Sequence, residues 1–187
     1  KFVIMKERKE SVVVHVIDLF SGAGGFTTGV HLAGQKVSLC IDKWMPGVSM
    51  HYANFPESQH LVMELGGDVD EFVQNIRRYV KTCLPEDADW HLHGSPPCQS
   101  FSIAQRGKVN SKQPKEFVEE DERSNLTQWY LQVVQKLQPS SWSMEQVPTA
   151  LSYIKGKAPW IFEENSHVKI FPSVYGYELG APTMRKR

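Results

Sequence analysis

Cysteine is scarce in this chain: three among 187 residues, Cys40, Cys83 and Cys98, with no CxxC pair. An odd and widely spaced set argues against a disulfide framework or a zinc knuckle, and it fits a reducing compartment. Net charge is missing too, with 21 basic against 21 acidic side chains. That excludes a polycation that grips its partner by bulk charge, but it leaves room for a local basic face. No long apolar run occurs. The longest early one, Val12 to Ile17, contains His15 and ends at Asp18. It is too short for a signal-peptide core or a membrane span, so no membrane partner is expected. Repeats and low-complexity tracts are absent as well.

What is present describes a folded chain. Hydrophobic residues make up 41% and charged residues 22% of 21.3 kDa, enough for one domain with its own core. The charge is unevenly spread. Residues 1–100 carry 9 basic and 12 acidic side chains, and residues 101–187 carry 12 and 9. The second half is the expected contact for an anionic partner.

Apolar runs alternate with helical patterns, which predicts a parallel α/β sheet. Strands are expected at Val12–Asp18, Lys36–Asp42, His60–Glu64, Trp90–Gly94 and Ser141–Val147, with a further one near Val168–Val174. Helices are expected at Gly24–Ala33, Trp44–Ala53, Asp68–Leu84 and Ser124–Leu137, with a helix or loop over Thr149–Lys155. In the third helix Val69, Phe72, Val73, Ile76 and Val80 recur at helical spacing, and Asp68 with Glu71 makes a capping-box-like start. Residues 95–123 form a polar loop, too long for a compact domain without a functional reason.

The run Asp18-Leu19-Phe20-Ser21-Gly22-Ala23-Gly24-Gly25-Phe26 lies where the first strand gives way to a helix. Glycines allow a sharp turn and close ligand approach, and a helix N-terminus attracts an anionic group. A dinucleotide fingerprint would need a third glycine where Thr27 stands, and no Gly-Lys-Ser/Thr follows for a P-loop. A nucleoside ligand carrying a carboxylate, such as S-adenosylmethionine, fits better; a plain structural turn is the alternative. Asp42 ends the second strand about 20 residues on, where such folds place an acid on ribose hydroxyls. It is equally read as a helix cap. Glu64 or Asp68 could accept from an adenine amine, although capping already explains Asp68.

The loop Gly94-Ser95-Pro96-Pro97-Cys98-Gln99 follows the fourth strand, on the sheet edge where α/β ligands bind. Two prolines stiffen the backbone before a cysteine, as a nucleophile held for attack requires. Cys40 and Cys83 read as packed thiols. His91 and His93 share a strand face and read as packing or hydrogen-bonding residues, not metal ligands, and no metal site is expected. Glu145 ends the fifth strand on the same edge as Cys98. It reads either as a proton carrier with a pKa raised by partial burial or as an ordinary strand-end residue.

Together these segments resemble the catalytic domain of the cytosine-C5 DNA methyltransferases. Asp18–Phe26 is similar to the family's cofactor motif, and Gly94–Ser102 to its Pro-Cys-Gln nucleophile motif. Asp121–Leu126 resembles the opening of the following helix. Met144–Val147 resembles Glu-Asn-Val, and Gly180–Arg187 resembles Gly-x-Pro-Gln-x-Arg-x-Arg. The resemblance implies a Rossmann-like class I methyltransferase sheet flanked by helices and incomplete at the C-terminus. It implies S-adenosyl-L-methionine as cofactor, S-adenosyl-L-homocysteine as product and double-stranded DNA as partner. Cys98 would attack C6 of a flipped-out cytosine. Glu145 would protonate N3, and Arg185 and Arg187 would hold the base oxygen. Phe20, Ser21, Gly22, Ala23, Gly24 and Gly25 would hold the cofactor, with Asp42, Glu64 or Asp68 on its polar groups and Pro96 and Leu126 along its edge. The location implied is intracellular, in the nucleus of a eukaryote or the cytoplasm of a bacterium.

The departures from the family pattern are specific. Cys40 stands where the family has a Glu, which leaves the ribose to Asp42. Gln146 replaces the Asn of Glu-Asn-Val and is expected to support the Pro-Cys-Gln loop less firmly. Thr183 replaces a Gln. This sequence stops where the family continues into a target-recognition region and a final cofactor motif, and Lys1–His15 does not resemble that motif moved forward. The whole of 1–187 is therefore expected to be the catalytic and cofactor-binding domain, with a second polypeptide or chain segment supplying recognition. A partner-dependent or catalytically weak scaffold subunit is the alternative from another class, and a tRNA cytosine-C5 methyltransferase is a third reading.

Overall fold

The computed structural model describes residues 14–97, 122–164, 166–171 and 174. Cys98, Arg185, Arg187, Thr183 and most of the 95–123 loop therefore lie outside the described residues. Among the described residues five strands form one parallel sheet: β1 (His15–Leu19), β2 (Lys36–Asp42), β3 (Gln59–Val62), β4 (Trp90–Gly94) and β5 (Ser141–Met144). Their spatial order is β3-β2-β1-β4-β5, so the chain reverses direction across the sheet between β1 and β4. Helices α1 (Gly25–Leu32), α2 (Met45–Asn54), α3 (Val69–Cys83), α4 (Glu122–Leu137) and α5 (Leu151–Lys157) connect and cover the strands.

The residue pattern explains the layers. Strands buried on both faces read as continuous apolar runs, and Ile17, Leu19, Val37, Ile41 and Leu92 are fully buried. Each such side chain contributes roughly 1.5–3 kcal/mol on burial. The larger core lies under α3, α4 and α5, with Phe72, Val73, Ile76, Trp129, Tyr130, Val133 and Ile154. A smaller cluster, Val16, Val30, Val37 and Cys40 with Phe26, packs under α1. The helical stripe of α3 is confirmed: Phe72, Val73 and Ile76 are buried, and Val69 and Val80 pack against the core. Asp68 caps that helix through the Glu71 N–H at 2.8 Å.

Four expectations need correction. β3 ends at Val62, not Glu64: Met63 N–H still donates to Asp42 O, but Gly66 at φ +112° then turns the chain away. β5 ends at Met144, not Val147. Glu145 N–H makes one more bond, to Gly94 O, and Pro148 then opens a 3-10 turn at Pro148–Ala150. Val168–Phe171 is irregular backbone and not a strand. Cys83 is exposed, not packed, because it is the last residue of α3 and Leu84 takes the buried place behind it.

The register places the site. Leu19 pairs with Ile41 on one side and with Gly94 on the other, while Asp42 pairs with Val62 and Gly94 with Met144. All five carboxyl ends therefore finish abreast. The segments that follow them, 20–24, 43–44, 63–68, 95–97 and 145–147, share one edge, where open α/β sheets take their ligands.

Candidate active site

The turn after β1 is shaped by three residues in the left-handed region: Phe20 at φ +60°, Gly22 at +52° and Gly24 at +94°. Two glycines meet this demand without strain, whereas Phe20 stores of order 1 kcal/mol there. Its ring is anchored edge-on to Trp129, centroids 6.3 Å apart. Ser21 N–H donates to Ile41 O, and Ser21 O accepts from Gly24 N–H. Gly24 also has a steric reason to be glycine: a Cβ there would stand 2.8 Å from Phe55 and 3.0 Å from His51.

Asp42 is not the N-cap of α2, a place that Trp44 takes without a side-chain cap bond; its carboxylate bridges two segments instead. Its Oδ1 accepts from Trp44 N–H at 2.8 Å and its Oδ2 from Gly22 N–H at 2.9 Å. The carboxylate thus clamps the glycine turn to the start of α2, and each oxygen keeps a second lone pair. Glu64 is exposed and paired with Lys43 Nζ at 2.8 Å, which lowers its pKa. Asp68 sits at the cap of α3. Leu126 lies across the opening: a Cβ on Gly66 would meet its Cδ2 at 2.5 Å, so glycine at 66 makes room for it. Trp129 Nε1 donates to Gly67 O at 2.8 Å and ties α4 to the same loop. The edge therefore brings together Phe20 through Gly25, Asp42, Glu64, Asp68, Pro96, Leu126 and Glu145.

The loops after β4 and β5 are joined directly. Glu145 N–H donates to Gly94 O at 3.1 Å, and Ser95 N–H to Leu19 O at 3.3 Å. Gln146 Nε2 donates to Pro96 O at 3.0 Å and to the buried Thr127 hydroxyl at 3.2 Å, while its Oε1 accepts from Val147 N–H. Gln146 therefore grips the Pro-Pro segment just ahead of Cys98. Tyr130 OH reaches Leu92 O and Ser143 O, bracing both strands from below.

His91 and His93 hydrogen-bond as expected, in a ladder. His91 Nδ1 meets Ser141 Oγ at 2.8 Å and its Nε2 meets Ser143 Oγ at 2.7 Å. His93 Nδ1 meets Ser143 Oγ at 2.8 Å and its Nε2 meets Ser95 Oγ at 2.9 Å. His93 also stacks on Phe26 at 3.4 Å. Burial, with His91 adding to it, pushes the His93 pKa down to about 3, so the ring is neutral.

Sequence reasoning missed two contributors. Trp44 is 54% exposed at the start of α2, with its ring against Gly47 beside the glycine turn. An aromatic residue just past the Asp42 strand end was its only signal. Thr127 became visible only once Gln146 was seen to reach it.

Comparisons with known proteins agree with this geometry. The family model for C-5 cytosine-specific DNA methylase matches residues 14–164. The chain is 35% identical over 135 residues to Type II methyltransferase M.HgiGI of Herpetosiphon aurantiacus, covering 72% of this chain and 90% of that one. It is 32% identical over 157 residues to Type II methyltransferase M1.HphI of Haemophilus parahaemolyticus, covering 84% of this chain but only 38% of the relative. A solved E. coli protein described as a DNA modification methyltransferase encoded within a prophage superposes with a TM-score of 0.66 at 28% identity. The match covers 92% of this chain and 44% of that one. The chain thus spans under half the length of two of these three proteins. With a match over most of its length and a five-stranded sheet shared with a solved methyltransferase, the chain belongs to the C-5 cytosine-specific DNA methylase family.

Proposed function

We propose that residues 1–187 are the cofactor-binding and catalytic domain of a DNA cytosine-C5 methyltransferase, acting on a flipped-out cytosine in duplex DNA with S-adenosyl-L-methionine as methyl donor. The observation that carries this reading is the double fastening of the β4 and β5 ends. Gln146 holds Pro96 O, and Glu145 N–H holds Gly94 O. A nucleophile loop and a carboxylate kept at fixed separation are what attack on one ring and protonation of the same ring require.

The residues present fit the cofactor. Ser21 Oγ is buried and has no hydrogen-bond partner among the described residues, beside a turn where Cβ atoms on Gly22 and Gly25 would meet open space. The start of α1 suits a carboxylate. Phe20, Ser21, Gly22, Ala23, Gly24 and Gly25 would line that end, Asp42 the ribose, and Glu64 or Asp68 the adenine edge, with Trp44, Leu126 and Pro96 against its faces. When bound, S-adenosylmethionine supplies an electrophilic methyl group on a sulfonium.

In the chemistry, the Cys98 thiolate forms a bond to C6 of the cytosine while Glu145 gives a proton to N3. Electron density would then gather at C5, making that atom nucleophilic toward the methyl group that a bound cofactor would supply. After transfer a base would remove the C5 proton, the C6–S bond would break to return the thiolate, and N3 would give its proton back to Glu145. Arg185 and Arg187 hold the base oxygen throughout. With a target-recognition region supplied in cis or in trans, labelled methyl groups are expected on cytosine C5 of duplex DNA. Label on tRNA alone, or on neither nucleic acid, would overturn the reading.

A further inference from the structure

Behind the glycine turn lies a cluster that methyl transfer does not use. Cys40 on β2 is 1% exposed, His51 on α2 is fully buried, and His60 on β3 is half-buried. Cys40 Sγ is 3.1 Å from His51 Nε2, and His51 Nδ1 is 2.8 Å from His60 Nε2. One donor atom from each of the three lies within 4.8 Å of the others. A second observation adjoins it. Thr27 Oγ1 sits 2.9 Å from His51 Nε2 and donates to Asp18 Oδ2 at 3.1 Å. Asp18 is 1% exposed, and among the described residues no cationic side chain pairs with it. A buried carboxylate without a counter-charge is costly.

We propose that Cys40, His51 and His60 form a structural zinc site, closed by water, with Thr27 and Asp18 as its outer partners. The donor set, one thiol and two imidazoles, is the borderline-soft set that zinc prefers. Tetrahedral zinc, with Zn–S about 2.3 Å and Zn–N about 2.0–2.1 Å, needs donor atoms roughly 3.3–3.6 Å apart. The cluster reaches that spacing by exchanging the hydrogen bonds around His51 for coordination. The Cys40 proton leaves to solvent as the thiolate–zinc bond forms, and nothing is oxidised or reduced. The metal charge then faces Asp18 and supplies the missing counter-charge. Half-buried His60 gives the ion its way in. The site would pin β2, α2 and β3 directly behind Gly24, where an added Cβ would stand 3.0 Å from His51.

The test loads the purified chain with Zn2+, dialyses it against a weak chelator and measures metal content. A parallel sample takes Co2+ and is read by absorption. The expected result is about one tightly held zinc per chain and a thiolate-to-cobalt band with tetrahedral d–d intensity. Cys40→Ser loses the thiolate band, and His60→Gln loses retained zinc with circular dichroism unchanged. Cys83→Ser and Cys98→Ser keep both signals. Background metal in the wild type, a band that survives Cys40→Ser, or a band lost in Cys98→Ser would overturn the site. If Cys40→Ser does not fold, His60→Gln at the rim decides. No outcome depends on methyl transfer, so failure here leaves the proposed function standing.

Discussion

Two residues show how side chains set the edge. Gln146 makes three polar contacts and is the link between Pro96 O and α4 through Thr127. Gln146→Ala removes a link worth roughly 1–2 kcal/mol and frees the loop before Cys98. Cofactor affinity should hold within about twofold while the rate of adduct formation falls at least about tenfold; an unchanged rate would remove Gln146 from the account. His93 makes a pH prediction. Its pKa in the fold, about 3, lies below the ordinary 6.5. The stability it contributes is therefore present above pH 6.5 and is lost as pH falls from there toward 3, because only the unfolded chain takes the proton readily. Urea unfolding at pH 7 and 4.5 should show wild type losing more stability than His93→Gln, by up to about 1.4 kcal/mol per pH unit. Equal losses would contradict the buried neutral ring.

At the scale of elements, Gly94 shows why β4 ends where it does. A Cβ there would collide with the Tyr130 ring, whose hydroxyl braces Leu92 O and Ser143 O. Gly94→Ala must push Tyr130 off both carbonyls, and thermal unfolding should show a loss of roughly 1–3 kcal/mol; no loss would mean that α4 shifts freely. β2 and β4 were legible to the residue because their ends are marked: Val37–Ile41, apolar but for Ser38, lies between Lys36 and Asp42, and β4 runs from Trp90 to Gly94 just before a proline pair. β3 and β5 were not. The first residue past each, Met63 and Glu145, still hydrogen-bonds once to a neighbouring strand, and what ends them is a positive-φ glycine in one case and a proline-led 3-10 turn in the other. Val168–Phe171 carried β-prone residues, yet among the described residues it pairs with no strand. At the site, the glycine turn and Asp42 could be read from spacing alone. The Gln146–Pro96 bond and the Cys40–His51–His60 cluster join residues up to 50 positions apart, and only the register reveals them.

At the scale of the whole molecule, strand order and register do the functional work. Five parallel strands finishing abreast place the glycine turn, the loop leading to Cys98 and Glu145 on one rim. No helix among the described residues is long and apolar enough to cross a membrane. A net charge of zero is compatible with the proposed nucleic-acid substrate because residues 101–187 carry 12 basic against 9 acidic side chains. The central claim is that this rim delivers Cys98 to a cytosine ring, and covalent trapping tests it most directly. Duplex DNA carrying 5-fluorocytosine is mixed with cofactor and with the protein joined by its recognition region, and the product is read by intact mass. The account predicts one protein–DNA adduct that requires cofactor and vanishes in Cys98→Ala; an adduct that persists in Cys98→Ala, or none in the wild type, would contradict it.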